Sequence, residues 1–234
     1  MNKIKVLFLL TISIAIIGFL SYKATFALFS DTATSTSNVF SAAAQFPNSG
    51  IADHIVISEV QIHGGNANED FVEIYNPTDS SVDLSGWQLR KKASNGTDSS
   101  LVLILSGTIP THGFFLWSND QGTFETDIGA DVSNGNNLSE NNSVLLEDAS
   151  DNPIDQVAWG DGTNQYVEGT EFVNSPATNQ SIERKALPTS DTTSMSSGTD
   201  VSKGNGFDSN NNATDFILRT VSQPQNSSSA TESP

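Results

Sequence analysis

The sharpest polar cluster in the chain is Asp208-Ser209-Asn210-Asn211-Asn212-Ala213-Thr214-Asp215. Asp208, Asn210 and Asn212 stand at i, i+2 and i+4, the first half of a calcium loop of the form D-x-[DN]-x-[DN]. Oxygen ligands at that spacing converge on one hard cation because the loop curls around it. The pattern then departs. Ala213 stands where the sharp-turn glycine belongs and Arg219 where the bidentate glutamate belongs, although Asp215 offers a late carboxylate. The spacing therefore allows two readings: a calcium site of Asp208, Asn210, Asn212 and Asp215, or an Asx-turn loop docking the next strand through side-chain-to-backbone bonds. The half-matched pattern favours the Asx-turn loop, and no other cofactor is expected.

A second group is basic. Arg90, Lys91, Lys92, Arg184 and Lys185 make up half of the ten Lys and Arg residues. Strand alternation sets Arg90 and Lys92 on the face opposite Leu89. If the segment QSIERK runs close by, Arg90, Lys92 and Arg184 form a basic binding spot on an acidic body, suited to an anionic glycan or an acidic neighbour. The alternative is pairing with the protein's own carboxylates.

Catalytic patterns are missing. His54, His63 and His112 fall at a strand start, a glycine-rich turn and a pre-strand turn, and no H-E-x-x-H, G-x-S-x-G or P-loop occurs. Paired acids hydrolyse glycosides, but so acidic a chain contains chance pairs, so a secreted hydrolase is the remote rival and no enzyme is expected. Trp87, Trp117 and Trp159 each sit on a strand beside a glycine or a turn, which predicts core packing over an aromatic binding platform.

These residues need strands to carry them. Phe71–Tyr75 is a β-rich run stopped by Asn76-Pro77-Thr78-Asp79, and the chain re-enters a strand at Val82 towards Lys92, with Gly86 expected as a bulge glycine. Asp70–Lys92 is thus expected as a central hairpin. In His54–Ile62, Ile55 and Ile57 alternate against Val56, Val60 and Ile62. Further strands are expected at 101–105, 113–118, 143–147 and 154–159, and order returns at 207–219 with a final strand at 216–219; 119–142 is mostly loop, 186–205 is low in complexity and no helical period follows the leader. Short strands at this spacing, divided by turn signals, predict an all-β sandwich.

The motifs FVEIYNP, DLSGWQLRKK, TIPTHGFFLWSN and NNSVLLEDASDNPIDQVAWGDG, in that order, resemble a bacterial lamin-tail domain over residues 55–219. The resemblance implies an immunoglobulin-like β-sandwich serving as an accessory module of secreted or surface proteins, not a catalytic domain, and it implies a strand at Gln180–Lys185, QSIERK.

Lys3 and Lys5 precede the apolar run Val6–Leu20, and Thr25-Phe26-Ala27 presents small residues at the two positions a signal peptidase reads. The junction ATFALFSDTATSTSNVFSA resembles the leaders of the biofilm-matrix fibre and camelysin group. Residues 1–27 are therefore expected as a signal peptide or membrane anchor, 28–53 as a flexible linker, 54–220 as the sandwich and 221–234 as a disordered tail. Cleavage would remove three lysines and no acid, taking the net charge from −17 to −20. Such a surface repels nucleic acid, and membrane contact is expected only through an uncleaved leader. The expected location is extracellular or cell-surface and the expected partner a surface protein or glycan. The rival structural reading is a self-assembling matrix subunit.

Overall fold

In the computed structural model, which describes residues 50–234, β1 (Val56–Gln61) lies within a six-stranded sheet. The expected leader and residues 28–49 of the expected linker lie outside the described residues. After β1 come β2 (Phe71–Tyr75), β3 (Val82–Asp83), β4 (Gln88–Lys92), β5 (Asp98–Val102) and β6 (Thr108–Ile109). Then follow β7 (Phe114–Asn119), helix α1 (Phe124–Ile128), β8 (Val132–Asn134), β9 (Ser143–Glu147) and β10 (Pro153–Ala158). The last elements are β11 (Ser181–Arg184), α2 (Thr192–Ser196), α3 (Asn212–Asp215) and β12 (Phe216–Arg219).

The six-stranded sheet runs β12-β11-β1-β2-β7-β8 and the four-stranded sheet β10-β9-β4-β5, with β3-β6 as a small third pair. All pairs are antiparallel except β7 with β8. Between the two larger sheets lies an apolar core that includes Ile57, Val60, Trp117 and Ile182 from one and Leu89, Val144, Leu146 and Val157 from the other. Each such large side chain, fully buried, contributes about 1.5–3 kcal/mol. Trp117 and Trp159 are completely buried, whereas Trp87 is half-buried and packs on the core's edge.

β1 departs from strict alternation. Ile57 pairs with Ile74 and Glu59 with Glu73, leaving Ser58 as the extra residue of a bulge. The bulge returns Val60 and Ile62 to the core face that Ile55 and Ile57 occupy, although plain alternation sets them opposite. Val56 remains on the other face with Tyr75 and Phe114.

The expected hairpin between β2 and β4 does not form. β2 pairs with β1 and β7 and β4 with β5 and β9, so the chain crosses between sheets after Tyr75. Buried Asn76 fixes the crossing. Its amide donates to the carbonyls of Ser80 at 2.8 Å and Pro110 at 3.0 Å, and its carbonyl accepts from Thr78 N at 3.0 Å. Gly86 serves a turn, not a bulge: at φ +83° it lets Trp87 N reach Leu84 O at 2.9 Å.

Three further expectations change. Short helices occur where none was expected, and Asp191 starts α2 with a capping box to Ser194. Residues 50–53 are part of the fold, since Ile51 bridges to Phe207 and Ala52 N donates to Gly206 O at 2.8 Å. The segment expected as a disordered tail runs as a strap along the six-stranded sheet, with Tyr75 Oη donating to Glu232 O at 2.5 Å. Its polar composition gives no apolar reason to dock; backbone and carboxylate hydrogen bonds hold it instead. Among the described residues no helix is long and apolar enough to cross a membrane.

Candidate functional site

The loop before β12 is built around Asp215. Its carboxylate accepts from Ser209 N at 3.0 Å, Ser209 Oγ at 2.5 Å and Asn211 N at 3.1 Å. Asp208 Oδ1 accepts from Asn210 N at 2.9 Å, an Asx turn that holds Asn210 at φ +56°. Asn212 is spent on backbone. Its carbonyl accepts from Ala158 N at 3.0 Å and Glu168 N at 3.3 Å, and its amide donates to Gln156 O at 3.0 Å. The four expected calcium ligands are thus parted: Asp208 and Asp215 converge, Asn212 clasps β10, and Asn210 is exposed.

Glu168 joins the convergence instead. Carboxylate oxygens of Glu168, Asp208 and Asp215 lie within 4.8 Å of one another. Arg184 already supplies a positive charge there, its Nη1 at 3.5 Å from Asp208 and 3.9 Å from Asp215. Its Nη2 reaches both oxygens of Asp155, and its Nε donates to Ile57 O at 2.9 Å. Burial opposes the charge on Arg184, but Asp155 and Asp208 outweigh it and hold the guanidinium above its ordinary pKa. Burial and Asp155 push Glu168 up to about 8, so it keeps its proton at neutral pH. This constellation sets one guanidinium among three Asp carboxylates and joins the sheets; a protonated Glu168 is a poor ligand for a hard cation.

Arg184 therefore does not belong to the expected basic spot. β11 pairs with β1 and β12, and alternation turns Ile182 and Arg184 inward while Glu183 faces out. Arg90 and Lys92 lie in the other sheet and remain partly exposed. Arg90 Nη2 pairs with Asp98 Oδ1 at 2.6 Å, Tyr166 Oη donates to Asp98 Oδ2 at 2.5 Å, and Lys92 Nζ stands 4.3 Å from the Tyr166 ring centre. Burial raises the Asp98 pKa, but Tyr166 and Arg90 together hold it below its ordinary value. The result is a braced Arg-Lys-Tyr patch on the outer face of the four-stranded sheet, each charge already locally partnered.

The lamin tail domain family matches residues 49–161, which span β1 to β10 and the crossing between sheets after Tyr75. The chain carries a lamin tail domain. No curated protein matches it. The family match ends within the loop after β10, so Arg184, Asp208 and Asp215 lie beyond it. β11, which carries Arg184, and β12 nevertheless complete the larger sheet.

Sequence reasoning missed the acids that matter most in this lamin tail domain. Glu59, Glu73 and Glu183 are register partners across β2, β1 and β11, on the face opposite the core. Glu59 and Glu73 are each only 2% exposed. A glutamate inside an apolar strand was the available signal, but the bulge at Ser58 hid which face it takes. Asp155 carried a similar signal, an acid next to Ile154 and two residues before Val157 on β10.

Proposed function

We propose that this lamin tail domain is exported and acts at the cell surface as a non-catalytic interaction or adhesion module, with Arg90, Lys92 and Tyr166 as the contact for an anionic glycan or an acidic protein surface. The observation that carries the reading is the bracing of that patch. Lys92 is held over an aromatic ring and Arg90 is fixed by one carboxylate oxygen, which leaves most of its guanidinium donors for a partner. Side chains already ordered lose little entropy on binding.

The rival matrix subunit needs a free sheet edge to template its neighbour. Against it stand the amides of Asn134 and Asn136, which both donate to Leu101 O on β5, and Phe172 N, which donates to Ala158 O on β10. Against a hydrolase stands the burial of Glu59 and Glu73, which no substrate reaches in this conformation.

A binding screen of the purified chain against anionic glycans and cell-wall fractions tests the reading, beside the variant Arg90→Glu/Lys92→Glu. Binding lost in the variant at unchanged melting temperature supports it. Equal binding by both proteins overturns the assignment to this patch. N-terminal sequencing from the native host tests export: a mature chain beginning near Leu28 is expected, and intact Met1 in the membrane fraction would make the leader an anchor.

A further inference from the structure

The outer face of the six-stranded sheet carries an unusual row. Glu73, Glu59 and Glu183 sit side by side on three neighbouring strands, with Leu116 beyond Glu73 and Ile217 beyond Glu183 as the next register partners. Directly opposed like charges destabilise a sheet. Among the described residues, Arg219 on β12 is the cation paired with the row, its Nη1 2.5 Å from Glu183 Oε2. Glu59 and Glu73 are served by hydroxyls instead: Ser181 Oγ donates to Glu59, and Ser58 Oγ to Glu73 at 2.6 Å.

The strap closes over this row. Gln223 N donates to the Glu59 carboxylate at 3.3 Å and Gln225 N to Glu73 Oε2 at 2.6 Å. Further along, Glu232 N donates to His112 O at 2.9 Å, Ser227 N to Asp131 Oδ2 at 3.0 Å, and Gly204 N to Ser233 O at 3.0 Å. No residue of 221–234 is itself buried, and the strap pairs with no strand. Its docking bonds are polar and none of its own side chains is buried, so it belongs to the low-stability end of the fold and can open without unfolding the sandwich.

We propose that the strap is a pH-gated cover, docked while the Glu59–Glu73–Glu183 row keeps its protons and released when the row loses them, uncovering the face it hides. Burial and then Glu183 push Glu59 up to about 8, and burial and then Glu59 push Glu73 well above its ordinary value. Burial brings Glu183 to about 7, with Arg219 pulling it back. The strap's own N–H bonds favour the ionised carboxylates, but burial and like charge outweigh them. Other ionisable groups stand around the row. They are Tyr75 on β2, Glu232 and Asp131 at the strap, His112 beside Ser233, and the pair Lys203 and Asp200. Lys203 is occupied by Asp200 at 3.4 Å, and Glu232 adds a further negative group.

Water has a way in. A cavity of about 210 Å³ lies between the strap and the 200–205 segment, lined by Glu183, Asp200, Lys203, Asn205, Gln225 and Glu232. Lifting the strap hydrates the row and returns its pKa values towards the ordinary carboxylate range. Docking therefore takes up protons, and for each proton taken up its equilibrium constant falls about tenfold per pH unit across that window.

The chain has no cysteine, so two engineered ones carry spin labels uniquely. Ser228→Cys on the strap and Thr108→Cys on β6 are both exposed positions. The full chain should give a narrow label-to-label distance distribution at pH 5 that broadens by pH 9, while circular dichroism keeps its sheet signal. Adding Glu59→Gln/Glu73→Gln, which leaves only Glu183, paired with Arg219, to ionise in the row, should hold the distribution narrow at both pH values. A distribution unchanged between pH 5 and 9 in the parent chain overturns the proposal. So does equal broadening in the glutamine variant, or loss of the sheet signal at the same pH.

Discussion

Arg184 Nη2 meets both carboxylate oxygens of Asp155, at 2.8 and 3.0 Å, and neither side chain touches solvent. Arg184 belongs to the six-stranded sheet and Asp155 to the four-stranded one. Asp155 Oδ2 also accepts from Ile57 N at 2.5 Å, so one ion pair binds β1, β10 and β11 together.

Removing one partner of a buried pair leaves the other charged and uncompensated. Arg184→Ala should therefore lower stability by about 3–5 kcal/mol in urea unfolding. Arg184→Lys should recover only part of the loss, because an ammonium cannot reach Asp155, Ile57 O and Phe207 O from one planar group. Full recovery with lysine would show that charge alone matters there.

The tryptophans should separate by burial. Trp117→Ala empties the centre of the core and should cost about 3–5 kcal/mol, and Trp87→Ala at the core's edge clearly less. Equal shifts in the urea midpoint would contradict the placement of Trp87.

Stability should fall as pH rises through neutrality. Burial brings Asp70 to about 7, and burial with Asp155 brings Glu168 to about 8. Both carboxyls hold protons more tightly folded than unfolded. Their contribution is fully present below the ordinary carboxylate value and is lost as pH rises to about 7–8. The melting temperature at pH 5 should exceed that at pH 8.5. Asp70→Asn, which keeps an acceptor for Leu138 N, should narrow the gap. A gap of unchanged size in that variant would exclude Asp70 as a source.

The 208–215 loop should behave as a clasp. The melting temperature should be the same in millimolar calcium and in chelator, because Arg184 already stands by the carboxylates and Glu168 is protonated. Asp215→Ala should still cost about 1–3 kcal/mol by leaving its donors unmatched. A calcium-dependent rise that disappears in Asp215→Ala would restore the metal reading.

Alternation and turn residues were enough to determine an all-β chain and the apolar strands with Trp117 and Trp159, because side-chain direction repeats every two residues and Asn-Pro or Gly ends a run, whereas the QSIERK strand was legible only through its resemblance to lamin-tail relatives. That period assigns a face and is silent about partners. Only the tertiary structure decided that β2 and β4 lie in different sheets, since Asn76 closes on carbonyls of Ile109 and Pro110, more than thirty residues away. Only it decided that Arg184 is inside, where three carboxylates distant in sequence outweigh the cost of burial. The strap was equally hidden: its sequence is polar, and what holds it is a row of glutamates assembled by strand register and a single bulge at Ser58.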